Sequence, residues 1–184
     1  MKFKTIRNLI ASLLFVFFSM PANAELVLSS PVMEDGGNLP ADLKCTRDGG
    51  DGLSPPIGWT GAPAETRSFA VIMHHYPRDR VEGVDAPSHY WLVWNIPADA
   101  ASLSRGNVES IGTEGSDKDR RYIGYTPPCS PSGGAAHSYT ITVYALNSED
   151  TGLGDEDDLD VDWAALTEAI EGKVIDSSSL TFIN

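Results

Sequence analysis

Turn-forming residues cut the chain between residue 25 and about residue 111 into short pieces. Asp35-Gly36-Gly37-Asn38, Asp48-Gly49-Gly50-Asp51-Gly52 and Ser54-Pro55-Pro56 interrupt helices and central strands alike. Glycine pays extra backbone entropy, and proline has no amide hydrogen to give. What fits between them is a set of β-prone runs. Residues 68–73 (SFAVIM) form one, and residues 90–96 (YWLVWNI) form another that is apolar on both faces, as suits a central covered strand. Residues 138–146 (SYTITVYAL) alternate with a period of two, Tyr139, Ile141, Val143 and Ala145 against Thr140, Thr142 and Tyr144. Helix comes late: Asp162 can cap residues 163–171, with Ala165, Leu166, Ala169 and Ile170 on the apolar side and Gly172 as the stop. A last strand-like piece covers 180–183. The reading is one mainly β domain with one or two small helices near the C-terminus.

Residues 1–24 stand apart. Lys2, Lys4 and Arg7 precede an apolar run over 9–18 and the ending Ala22-Asn23-Ala24, the pattern of a secretory signal peptide. Ten apolar residues fall short of the roughly 20 that cross a bilayer, and no later run is longer, so no transmembrane segment is expected in the mature chain. Its removal from 184 residues leaves a domain over 25–184, periplasmic or secreted, and moves the formal charge from −13 to −16 because three basic side chains leave with it. Such acidity argues against nucleic acid as a partner, since affinity for phosphate backbones rests on Lys and Arg. Export also bears on the two cysteines. In an oxidising compartment Cys45 and Cys129 are expected to pair. The bridge would close a loop of about 84 residues, for which chain entropy sets a ceiling of roughly 4–5 kcal/mol.

The acidic run 154–162 (GDEDDLDVD) invites a calcium reading. Counted from Asp158, however, the sixth loop position is Trp163 where an EF-hand needs Gly, and the twelfth is Ala169 rather than Glu. A solvated helix entry that complements the helix dipole is the expectation. The four histidines are His74, His75, His89 and His137. Strand parity puts His75 on the face of Phe69, Val71 and Met73, and His137 on the face of Tyr139, Ile141 and Val143. They either line the mouth of a cavity or are satisfied, half-buried histidines at strand ends.

The run Tyr125-Thr126-Pro127-Pro128-Cys129-Ser130-Pro131-Ser132-Gly133-Gly134-Ala135-Ala136-His137-Ser138-Tyr139 resembles the signature of the phosphatidylethanolamine-binding protein family, in its bacterial, Raf-kinase-inhibitor-like branch. That pattern is roughly Y-x-G-P-C-P-P-x-G, a spacer, then H-R-Y and a strand ending Y-A-L, here Tyr144-Ala145-Leu146. Leu53-Ser54-Pro55-Pro56-Ile57-Gly58-Trp59 is similar to the family's S-P-P-L-x-W, and Trp91-Leu92-Val93-Trp94-Asn95-Ile96-Pro97 to its W-L-V-x-N-I-P. Residues 165–175 resemble its helix and the A-I-x-G-x-V/I stretch. The resemblance implies a large antiparallel sheet packed on a second sheet, a β sandwich with a small anion-accepting pocket at one end. His137 and Tyr139 carry over to that pocket, and the proline-rich loop 127–133, with Pro128, forms one wall.

Two family features do not carry over. Where D-P-D-A-P should follow the SFAVIM strand, the chain has His74-His75-Tyr76-Pro77-Arg78-Asp79-Arg80, which sets His75 at the first Asp. Tyr90 stands in the place of the family histidine, with His89 one step before it and facing away. Asp85-Ala86-Pro87 spells part of the missing motif but lies too close to Tyr90 to serve, and Ser138 replaces the H-R-Y arginine. Exchanging Asp for His removes a fixed negative charge and adds a donor that titrates near neutral pH. The expected ligand-binding residues are therefore His75, Tyr90, Pro128, His137 and Tyr139.

From these residues the function expected is an exported, non-catalytic binding protein that takes a small oxyanion, phosphate or carboxylate, with no cofactor. The resemblance also implies a possible protein partner, since members of the family inhibit kinases and proteases; a kinase is not a natural target for an exported protein. Two alternatives compete. One is a metal site built from His75, His137 and His89 or a carboxylate, although parity lets at most two or three converge. The other is a Ser/His hydrolase using Ser54, Ser132 or Ser138, for which no G-x-S-x-G elbow exists.

Overall fold

The computed structural model describes residues 25–129 and 135–184. The expected signal segment 1–24 and, in the proline-rich loop, residues 130–134 with Ser132 lie outside the described residues. Strands follow in the order β1 (Val27–Ser29), β2 (Gly37–Asn38), β3 (Ile57–Thr60), β4 (Ser68–His75), β5 (Ser88–Pro97), β6 (Ser102–Leu103), β7 (Thr113–Glu114) and β8 (Ser138–Leu146). Helix α1 (Trp163–Ile170) and strand β9 (Val174–Ile183) complete the chain. They build a six-stranded sheet, β2-β9-β8-β4-β5-β7, and a three-stranded sheet, β1-β3-β6. Every pairing is antiparallel except the short contact of β2 with β9. The expected architecture, a large sheet against a smaller one with a C-terminal helix, is the one observed. Among the described residues no helix is long and apolar enough to cross a membrane.

The large sheet is covered on both faces. One face carries Phe69, Val71 and Met73 of β4, Trp91, Val93 and Ile96 of β5, and Ile141 and Val143 of β8. These pack against Leu28, Ile57, Trp59 and Leu103 of the small sheet. The other carries Ala70, Ile72, Leu92, Trp94 and Leu146, packed on Val161 and on Leu166 and Ile170 of α1. Both sets are buried, and this is why β4 and β5 read as continuous apolar runs. Each large side chain so buried contributes about 1.5–3 kcal/mol. Helix α1 starts where expected: the Asp162 carboxylate accepts the amide of Ala165 at 3.0 Å, and Gly172, at φ +73, turns the chain after it.

Strand β9 is longer than the 180–183 piece that apolarity marks. The stretch before Leu180 is polar from Asp176 to Ser179, where side chains bond sideways. Asp176 accepts the amide of Leu26 at 3.1 Å and Ser178 that of Leu28 at 2.9 Å, while Ser179 shares a hydroxyl bond with Thr142. The second small helix allowed for near the C-terminus is not seen among the described residues. Short 3-10 turns lie upstream instead, at Ala41–Leu43, Thr46–Asp48 and Arg105–Asn107.

Two features aim residues toward one end of the large sheet. Met73 pairs with Trp91 but His74 pairs with His89, so Tyr90 is the extra residue of a bulge. Bulges break alternation, and Tyr90 therefore shares the Met73 face with its neighbour Trp91. Cys45 and Cys129 are joined, with Cα atoms 5.3 Å apart. The amide of Cys45 donates to the carbonyl of Pro128 at 3.2 Å, and the amide of Thr126 to that of Tyr90 at 2.7 Å. The segment 126–129 is thus pinned on both sides. Replacing both cysteines with alanine should lower unfolding free energy by about 2–4 kcal/mol, read as an earlier midpoint in urea titration without loss of the β circular-dichroism signal.

Candidate functional site

Strand β4 lies between β5 and β8, and its antiparallel register brings the end of β4 beside the starts of both neighbours. His75 faces Ser88 and His74 faces His89 on one side, with Thr140 opposite His74 on the other. His137, just before β8, is anchored by reciprocal backbone bonds with Asn184 at 2.9 and 3.0 Å. The result is a ring cluster. The His75 ring lies 4.9 Å from His137, 4.9 Å from Tyr139 and 6.4 Å from Tyr90. Tyr90 meets Tyr139 edge-on at 5.0 Å, and Tyr139 stacks on Phe182 at 5.4 Å.

His75 Nδ1 lies 2.8 Å from the Ser138 carbonyl. A carbonyl only accepts, so Nδ1 carries the proton and Nε2 holds the lone pair of the neutral ring. Burial pushes the His75 pKa below its usual value and nearby His137 adds to this, while the Ser138 carbonyl opposes it. Burial likewise drives the Tyr90 phenol well above its ordinary range, with the Tyr139 phenol adding to the effect.

A cavity of about 250 Å³ opens over this cluster. His75, Tyr76, Arg78, His137 and Ser138 line it, with Ala135 and Ala136 on one side. His75 and His137 are therefore walls of the pocket. Tyr90 and Tyr139 lie beneath, in contact with the His75 ring rather than with the cavity. Pro128 is buried against Cys45 and is not part of the lining. Arg78 was missed from sequence because motif register stopped at His75. The signal available was its position, the first cation after the β4 strand end. It forms no ion pair with any described residue.

The remaining histidines go elsewhere. His89 Nε2 bonds the Asp117 carbonyl at 3.0 Å, with the Ser116 hydroxyl at 3.3 Å, and His74 lies edge-on to Tyr76. A site combining His75, His137 and His89 is thus not assembled. Among the described residues, the group of three ligand-type side chains close enough to share an ion is Cys45, Asp48 and Cys129, two of which are bonded to each other. Ser54 is buried away from the pocket. Asp85, from the partial D-A-P motif, accepts the amide of Val81 within its own loop. The acidic run is tied into the fold as well: Trp94 donates to the Gly154 carbonyl and Glu114 to the Asp157 carboxylate.

Burial lowers the pKa of His74, His75 and His89 from 6.5. The unfolded chain therefore takes up protons before the folded one does, and stability falls as pH drops below about 6.5 toward the lowered folded values. Urea midpoints measured from pH 7.5 to 5 should decline through this window, and Gln at position 75 should flatten part of the slope.

Comparison with known proteins gives this geometry a setting. The family model for phosphatidylethanolamine-binding protein matches residues 29–183. A UPF0098 protein of Methanothermobacter thermautotrophicus is 33% identical over 164 residues, spanning 83% of this chain and 94% of the relative. The crystal structure of YbcL from Escherichia coli, described as a member of the mammalian PEBP family, aligns with a TM-score of 0.71 at 25% identity, covering 87% of this chain and 98% of that one. A phosphatidylethanolamine-binding protein homologue, CT736 from Chlamydia trachomatis, gives a TM-score of 0.71 at 29% identity over 89% and 98%. The chain belongs to the phosphatidylethanolamine-binding protein family.

Proposed function

We propose that the protein is an exported, non-catalytic binding protein that takes a small oxyanion, phosphate or carboxylate, in the pocket at the end of the large sheet. The observation that carries this reading is the lining: two imidazoles and the Arg78 guanidinium, which forms no ion pair among the described residues, with no carboxylate among the lining side chains. In a chain of formal charge −13 that is a local reversal of sign. Arg78 offers a planar fork suited to bidentate contact with an oxyanion. The cavity is smaller than the 300–1,000 Å³ usual for drug-sized ligands, so it suits a headgroup and not an acyl chain. Non-catalytic binding is favoured because, among the described residues, no serine or cysteine side chain is hydrogen-bonded to the His75 ring, whose Nδ1 is taken by the Ser138 carbonyl. The expected leader over 1–24 and the disulfide both favour the periplasm or the exterior.

Protonation sets the pH dependence. At neutral pH the depressed pKa keeps His75 uncharged, with its Nε2 an acceptor that gives nothing to an anion. Once pH falls through that lowered pKa, on the acid side of the ordinary imidazole value, the nitrogen gains a proton, and with it a donor and a charge. Affinity for inorganic phosphate should therefore rise as pH falls from 7.5 to 5.5, by at most tenfold per pH unit for each proton taken up. Calorimetric titration with phosphate and phosphoethanolamine, with NMR of the imidazole resonances, reads this directly. Arg78→Ala should weaken binding by about tenfold. Unmoved His75 and His137 resonances at millimolar ligand across that pH range would sink the reading. For export, expression of the full chain in a bacterium should give a periplasmic product shortened by 24 residues, seen as intact mass.

A further inference from the structure

Tyr76 has a second side. Beyond the oxyanion pocket, its ring also lines a separate groove of about 400 Å³, formed by the loop after β4 and the first turn of α1. Trp163 lies on the helix side, and Glu82, Val84 and Asp85 on the loop side. No basic residue is part of that lining. Glu82 is exposed and forms no ion pair with any described residue. Asp85 is held in place by accepting the Val81 amide at 2.8 Å. Nearby Arg80 is turned onto the Ala86 carbonyl at 2.6 Å and is not among the lining residues. Val84, 81% exposed, adds an apolar contact.

Two electron-rich rings with two carboxylates and an apolar side chain match one chemical class. Aromatic faces attract cations through their quadrupole, and they favour organic ammonium ions, whose weak hydration is easily surrendered to ring and methyl contacts. The two carboxylates, of which Asp85 is held by the Val81 amide, add charge attraction. A hard metal ion would need several oxygen ligands at 2.0–2.6 Å, which a pair of carboxylates beside aromatic rings does not supply. Sodium keeps its water for the same reason. The groove is also opposite in sign to the pocket on the other side of Tyr76.

We infer that this groove binds an organic ammonium group, as a small amine or a quaternary ammonium, between Tyr76 and Trp163, with Glu82 and Asp85 as its counter-charges. The site is independent of the oxyanion reading, because none of its charged residues is shared with that pocket.

The probe is tetramethylammonium chloride, which carries no oxyanion to engage the neighbouring pocket. Trp59, Trp91 and Trp94 are buried, whereas Trp163 is partly exposed, so a change in tryptophan fluorescence on titration reports on Trp163. A saturable change is expected, absent with sodium chloride at equal ionic strength. Glu82→Gln, at an exposed position, should weaken binding by about five- to tenfold, and Tyr76→Leu by a similar factor. Trp163→Ala removes the reporter along with the ring, so its binding is read instead by NMR saturation transfer to the methyl protons of tetramethylammonium, and should be lost; because Trp163 also packs on the core, folding of that variant is checked by circular dichroism, and the Glu82 and Tyr76 variants carry the test if it does not fold. A response that sodium chloride reproduces, or Glu82→Gln and Tyr76→Leu variants that bind like the parent, would overturn the inference. Arg78→Ala should leave tetramethylammonium binding unchanged, so failure of the oxyanion pocket and failure of this groove give separate results.

Discussion

The large sheet has no solvated face over its central strands, and the rest of the molecule follows from that. With the small sheet on one side and α1 on the other, a polar side chain in the middle of β4 or β5 would be buried without water, at a cost of about 1–3 kcal/mol or more if left unpaired. Polar chemistry is pushed to the strand ends. Histidines accordingly terminate β4, open β5 and precede β8, and the antiparallel register gathers them at a single end. The pocket lies where the dry central strands end.

Net charge misleads about such a site. Six of the chain's 26 acidic residues lie in the run 154–162, a segment tied into the fold: the Gly154 carbonyl takes the Trp94 indole, Asp157 takes the amide of Glu114, and Asp162 caps α1. Asn95 clamps the same segment, accepting from Thr151 and donating to Gly154 and Asp155. These carboxylates never reach the oxyanion pocket. Two cavities of opposite lining, divided by Tyr76, can therefore coexist within one loop of each other.

Sequence made legible whatever was locally periodic or apolar. Residues 138–146 alternate cleanly and form β8; residues 90–96 are apolar throughout because both faces of β5 are covered; Asp162 caps the helix it precedes. Strand β9 was half hidden because Asp176, Ser178 and Ser179, which bond neighbouring backbone and hydroxyls from a half-exposed strand, look like loop. The Tyr90 bulge was invisible for a different reason. It depends on the offset between two strands, and residue types do not encode that offset. Parity correctly joined His75 to the Met73 face, since β4 itself runs unbulged. It had nothing to say of Arg78, which lies beyond the strand, where side-chain direction is set by the loop.

The bridge between Cys45 and Cys129 spans 84 residues, and β3 through β7 all lie inside that span. Its two sulfurs meet only once the segment after β2 and the segment after β7 have both come to the same end of the sheet. Within one molecule the bridge thus ties those two segments together at that end. With just two cysteines in the chain, no wrong bond is available within one molecule. Every pairing error must join two molecules, so covalent dimers formed at high concentration would be the mark of chains caught before the sheets had closed.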